Sequence, residues 1–169
     1  MIPDPHGTNK REFSRVPKPR IIKSHDPFDP RYPRIIYIVR DPRDVALSQY
    51  HYHRKLKRIE DAAPVETFIT RFLAGQTCQH GSWGENVVTW LATRRDDRSF
   101  LLLRYEDMIA DTAGALRKIA DFLTLAVDAE QINRAVELSS ASRMRRRQVL
   151  GDYKGQAFRH PLHRNRCGG

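Results

Sequence analysis

At 169 residues and 40% hydrophobic content, the chain has the size and apolar fraction of one folded domain and is not a disordered tract. A formal net charge of +10 directs it toward anionic partners such as phosphates and sulfates. No apolar run reaches the roughly 18 residues a membrane span needs, and "MIPDPHGTNKREFSR" has no apolar signal core, so the expectation is a cytoplasmic chain without membrane partners.

The first twenty residues carry Pro3, Pro5, Pro17 and Pro19, and 1–18 reads as an extended lead-in. "RIIKSH" (Arg20 to His25) is a strand candidate, ended by the proline-punctuated loop "DPFDPRYP". "RIIYIV" (Arg34 to Val39) is a continuous β-branched run, as expected of a strand covered on both faces. A helix follows, with Asp41 as N-cap, Pro42 in the first helical position and Asp44 near the positive end of the dipole. Pro64 to Leu73 predicts a second helix, ended by Gly75 as its C′ residue. Ser82 to Arg94 predicts a third, opened by the capping-box pattern "SWGE". "SFLLLR" (Ser99 to Arg104) is another buried strand. Asp111 then caps an amphipathic helix through Leu116, Ile119, Ala120 and Leu123, and Asp128 with Gln131 opens one more. After Ser140 the pattern becomes basic and Gly-rich, ending in a tail over 159–169. Strands alternating with helices, joined by connections too long for hairpins, predict an α/β fold with a parallel sheet.

Ligands bind such sheets at the carboxyl ends of the strands. The predicted strands end there in Lys23 and His25, in Arg40, and in Arg104 and Tyr105. Arg40 leaves the sheet as the next helix begins, so its guanidinium and the helix N-terminus can converge on one anion. Ser48 lies two turns further along that helix. The structural alternative is that Arg40 pairs with Asp41 or Asp44 and only orders the helix start.

These residues also carry a resemblance. "YIVRDPRDVALSQYHY" is similar to the 3′-phosphate-binding segment of the sulfotransferases that use 3′-phosphoadenosine 5′-phosphosulfate (PAPS). "PRIIKSHDPF" resembles the segment with that family's catalytic histidine, and "GSWGENVVTWL" its Gly-Ser-Trp helix start. "LLLRYEDMIADTAGALRKIADFL" resembles the strand-helix pair whose tyrosine packs on adenine, and "RRRQVLGDYKGQAF" the C-terminal Arg-Lys-Gly-x-x-Gly-Asp-Trp-Lys motif. The matches run in order over 19–158. The resemblance implies a parallel sheet flanked by helices in a P-loop-NTPase-like sulfotransferase fold. It implies transfer of a sulfuryl group from PAPS to a small-molecule hydroxyl or amine acceptor. Arg40 and Ser48 would hold the 3′-phosphate, Tyr105 would line the adenine site, and Arg146 and Arg147 would close over the phosphate. His25 would take the acceptor's proton and Lys23 would steady charge on the sulfuryl oxygens. No metal is required. His51 and His53, two apart on a helix, do not form a metal pair, and "HPLHRNRC" lacks a complete zinc ligand set.

Departures from the family pattern are equally specific. Only 24 residues precede His25, and none fits the phosphosulfate loop Pro-Lys-Ser/Thr-Gly-Thr; "HGTNK" (His6 to Lys10) has neither a strand before it nor a helix after it. Gln148 and Tyr153 replace a glycine and the tryptophan of the C-terminal motif, and no match to the dimerisation motif Lys-x-x-x-Thr-Val-x-x-x-Glu is found, so the sequence leaves the oligomeric state open. The expectation is therefore a partial sulfotransferase domain, lacking its first strand and phosphosulfate loop. Two rivals remain: a non-catalytic protein binding 3′-phosphoadenosine nucleotides, and a basic nucleic-acid-binding domain. The second is disfavoured because the basic residues form no single stripe interleaved with aromatics. A sheet missing an inner strand presents unpaired edges. The expected outcome is poor solubility and weak or absent transfer for this chain; a soluble monomer with normal turnover on a phenol or alcohol would contradict it.

Overall fold

The computed structural model describes residues 15, 20–78, 80–140 and 142–143. The chain divides into two compact units, one spanning Asp26–Leu138 and one joining Met1–His25 to Ser139–Gly169. In the first unit, strands β1 (Ile35–Val39) and β2 (Phe100–Arg104) pair in parallel, with Ile35 opposite Phe100 and Val39 opposite Arg104. The connection between them carries three helices, as a parallel crossover requires.

Each helix start is written in its first residues. Helix α1 (Pro42–Lys55) is capped by Asp41, whose Oδ1 accepts the Arg43 N–H at 2.9 Å, with Pro42 in the first position. Helix α2 (Val65–Leu73) follows Pro64, which serves as its cap and not as its first residue. Its end is a Schellman motif: the Gly75 N–H donates to the Phe72 carbonyl at 3.0 Å and the Gln76 N–H to the Arg71 carbonyl at 2.9 Å. Gly75 has φ +71°, and a Cβ there would lie 2.8 Å from the Ser82 nitrogen. Helix α3 (Trp83–Arg94) opens with the expected capping box, Ser82 Oγ accepting from the Glu85 N–H and Glu85 Oε2 from the Ser82 N–H.

After β2 comes a short helix that the sequence reading, which passed from Arg104 to the Asp111 cap, did not name, α4 (Tyr105–Ala110). It spans only six residues, too short for a helical hydrophobic period to declare itself. Asp111 then caps α5 (Thr112–Phe122) through the Gly114 N–H at 2.8 Å. The reciprocal Asp128–Gln131 bonds open α6 (Ala129–Ser139).

Two apolar clusters hold these elements. Ala46 and Tyr50 of α1 pack with Phe68 and Phe72 of α2, and the Tyr50 hydroxyl donates to the Ala63 carbonyl at 2.7 Å. On the sheet, Tyr37 stacks on Phe100 with ring centroids 5.8 Å apart, and Trp90 of α3 faces both. The Tyr37 hydroxyl donates to Asn86 Oδ1 at 2.9 Å, and burial pushes its pKa up to about 12. The Trp90 indole N–H donates to the Asp26 carbonyl, which fixes the chain segment just before the β1 approach.

One expected element is corrected. Residues 20–26 form no strand. Ile21, Lys23 and His25 are exposed while Ile22, Ser24 and Asp26 are half-buried, the two-residue alternation of a strand without a ladder. Among the described residues the sheet consists of β1 and β2 alone, and 20–26 pairs with the free edge of neither. Lys23 and His25 therefore do not stand at a strand end. Ile38, on β1, remains 50% exposed, in keeping with a sheet this narrow.

Replacing Gly75 with alanine is expected to destabilise the protein by about 1–3 kcal/mol, since the left-handed conformation and the approach to Ser82 both oppose a Cβ. Urea unfolding at constant slope checks this; an unchanged midpoint would contradict it.

Candidate functional site

Because β1 and β2 run parallel and in register to their last residues, the residues that follow emerge side by side at the carboxyl end of the sheet. These are Arg40 and Tyr105. The guanidinium carbon of Arg40 lies 4.6 Å from the centre of the Tyr105 ring, a cation–π contact of about 0.5–1 kcal/mol at a site open to water. Tyr105 is 37% exposed.

Two further features describe the charge on Arg40. Its Nη2 pairs with Asp44 Oδ2 at 3.2 Å, the structural alternative foreseen from the sequence. That pair is open to solvent on both sides, so it contributes at most about 1 kcal/mol. The Nε of Arg40, in contrast, is buried and has no hydrogen-bond acceptor. An unsatisfied buried donor costs about 1–3 kcal/mol. A phosphate offers a guanidinium charge-assisted bonds of about 1.5–3 kcal/mol, more than Asp44 supplies. Arg40 is thus a cation with donor capacity to spare. Ser48 is exposed and lies four residues beyond Asp44, on the same face of α1.

The start of α1 does not share in this site, contrary to the expectation from the sequence. Pro42 has no N–H, the Arg43 N–H is taken by Asp41 Oδ1, and the Asp41 N–H donates to Glu106 Oε1 at 2.8 Å. Two carboxylates, Asp41 and Glu106, therefore occupy the helix tip and repel an anion there. Arg40 and Ser48 lie on the flank of α1, with the Asp44 carboxylate between them. Hydrogen bonds from the Arg43 side chain, then from its backbone, hold the Asp41 carboxyl at about 2. The Asp41 N–H is the main cause of a lowered Glu106 pKa. Glu106 was not singled out from the sequence. The available signal was an acidic pair, Glu106 and Asp107, immediately after a strand, which marks a helix first turn but not the reach across to Asp41.

The sequence-derived site residues are thus distributed. Arg40 and Tyr105 are in contact, Ser48 is on the adjoining helix face, and Lys23 and His25 are exposed in the other compact unit. Arg146 and Arg147 lie outside the described residues, as do Cys167 and the "HPLHRNRC" segment. Among the described residues no group of three or more His, Cys, Asp or Glu is placed to hold a metal ion, and no helix is long and apolar enough to cross a membrane.

Residues 4–165 match the sulfotransferase domain. The chain belongs to the sulfotransferase family. It is 33% identical over 141 residues to a rat protein, sulfotransferase 2A2, covering 79% of this chain and 49% of that one. Its fold is similar to that of mouse sulfotransferase SULT7A1 complexed with PAP, with a TM-score of 0.71, 31% identity, and coverage of 79% of this chain and 50% of the other. Retinol dehydratase in complex with androsterone and the inactive cofactor PAP gives a TM-score of 0.72 at 29% identity, over 86% of this chain and 45% of the other. The chain spans about half the length of the curated relatives it matches.

In this sulfotransferase domain the Asp41 cap is expected to resist acid. A folded pKa of about 2, below the ordinary Asp value of about 3.9, means its contribution is present above that ordinary value and is lost as the pH falls toward 2. A carboxyl-carbon NMR titration should place the Asp41 midpoint near 2; a midpoint near the ordinary value would show that Arg43 does not hold it in solution.

Proposed function

We propose that this chain recognises the 3′-phosphoadenosine end of PAPS and serves sulfuryl transfer to a small-molecule acceptor. The observation that carries this reading is the Arg40–Tyr105 contact at the carboxyl end of the parallel sheet, with a guanidinium Nε that is buried and lacks an acceptor. An aromatic face beside an underused guanidinium suits a nucleotide, whose base stacks and whose phosphate takes charge-assisted bonds. Arg40 and Ser48 would hold the 3′-phosphate on the flank of α1, Tyr105 would line the adenine site, and Arg146 and Arg147 would add charge over the same phosphate.

In transfer, His25 would accept the proton of the acceptor hydroxyl or amine as that atom forms its bond to sulfur. The bond from sulfur to the donor's phosphate oxygen breaks, and adenosine 3′,5′-bisphosphate leaves. Lys23 would balance the negative charge on the sulfuryl oxygens, the role cations play in phosphoryl transfer. This scheme uses side-chain cations and requires no metal. An apolar alcohol is the favoured acceptor class, since the similar structures include complexes with androsterone and with retinol. A cytoplasmic setting agrees with such substrates and with a chain whose described cysteine, Cys78, is free.

A second reading is nucleotide binding without transfer. It is favoured by this sequence, which contains no Pro-Lys-Ser/Thr-Gly-Thr loop to hold the phosphosulfate. One set of measurements separates the two. Calorimetric titration with adenosine 3′,5′-bisphosphate should show Arg40→Ala weakening binding by about 10- to 150-fold, the equivalent of one charged hydrogen-bonding group. His25→Ala should leave that binding unchanged and lower transfer to an alcohol by about 10²–10⁴-fold. Wild-type affinity in Arg40→Ala would refute the nucleotide reading; nucleotide binding without any transfer to lose would leave only the second.

A further inference from the structure

We infer that Glu106 is a positioning residue for Arg40, acting through the backbone of Asp41 and not by touching ligand. The inference rests on the nucleotide reading above. Arg40 is the only residue between the last paired residue of β1, Val39, and the cap of α1, Asp41. The Asp41 N–H and the Arg40 carbonyl belong to one rigid peptide plane. Glu106 Oε1 accepts that N–H at 2.8 Å across 65 residues of sequence. Holding this plane sets the ψ angle of Arg40 and so the direction in which its side chain leaves the backbone.

The same bond joins the two crossover junctions, because Glu106 is the neighbour of Tyr105. Arg40 over Tyr105 is therefore a geometry fixed from both sides: by strand register, and by the tie between the residues that follow. No intrahelical acceptor serves the N–H of an N-cap residue, so without Glu106 the Asp41 amide is left to water and the Arg40 peptide is free to rotate.

The test is affinity for adenosine 3′,5′-bisphosphate in a double-mutant cycle on the full chain, with circular dichroism confirming that each variant is folded. Glu106→Ala is expected to weaken binding about 10-fold. Glu106→Gln retains an acceptor oxygen and should stay within about twofold of wild type. Glu106→Asp keeps the charge but not the reach, and should resemble alanine; it supplies the comparison should the alanine variant not fold. In an Arg40→Lys background, itself weakened, Glu106→Ala and Glu106→Asp should each cost less than about twofold, because the group they position is already altered. Wild-type affinity in Glu106→Asp overturns the inference, as does a glutamine variant as weak as alanine or a full 10-fold loss that persists beside lysine. If Arg40→Ala binds like wild type, or the wild-type chain does not bind the bisphosphate, the nucleotide reading falls and this inference with it. If Arg40→Lys binds like wild type, the direction of the guanidinium does not matter and this inference alone is overturned.

Discussion

The in-register parallel pairing of β1 and β2 is the constraint on which the rest of the site depends. Five residues of one strand lie beside five of the other, and the ladder ends on both at the same level, Val39 opposite Arg104. Whatever follows each strand must then emerge at one place. A shift of one residue would put Tyr105 out of step with Arg40 and turn the inward side chains of β2 to the opposite face. The register is held by packing on the sheet, where Tyr37, Phe100 and Trp90 form one aromatic group. The Tyr37 hydroxyl, which would be costly to bury alone, is satisfied by Asn86. Core and site are therefore coupled through two short strands.

Electrostatics at the start of α1 decides where an anion can go. Helix N-termini commonly receive phosphates because their amides point outward unpaired. Here Pro42 has no amide hydrogen, and the Asp41 and Arg43 amides are engaged by carboxylates. Arg40 is held by an exposed pair with Asp44 and by the ring of Tyr105, two contacts of similar, modest strength. A weak ionic partner is readily exchanged for a stronger one, whereas a stacked ring can stay in place during the exchange. This combination keeps the guanidinium oriented without saturating it.

Membership of the sulfotransferase family and the division of the chain into two units bear on how the work is shared. The unit spanning Asp26–Leu138 contains Arg40, Ser48 and Tyr105, whereas Lys23 and His25 belong to the other. Substitutions at Arg40 and at His25 test the proposed nucleotide contact and the proposed proton transfer separately. Lys23 and His25 are exposed on the same side of an alternating segment, and this arises without strand pairing.

The sequence by itself determined the elements whose information is local. Asp41 with Pro42, Ser82 with Glu85, Asp111, and Asp128 with Gln131 each open a helix because a side chain satisfies amides only a few residues away. Gly75 closes one because its left-handed φ favours glycine at that position. The β-branched and leucine runs named both strands, and the motifs around Arg40, Ser48 and Tyr105 named the family. Tertiary structure alone decided matters that depend on partners distant in sequence. "RIIKSH" had the composition of a strand but pairs with neither β1 nor β2. The helix tip had the look of an anion site until Glu106, 65 residues away, took the Asp41 amide. The Arg40–Tyr105 contact joins residues equally remote. A local pattern specifies what a segment can be; which hydrogen-bonding group finds which partner is fixed only when the strands lie side by side.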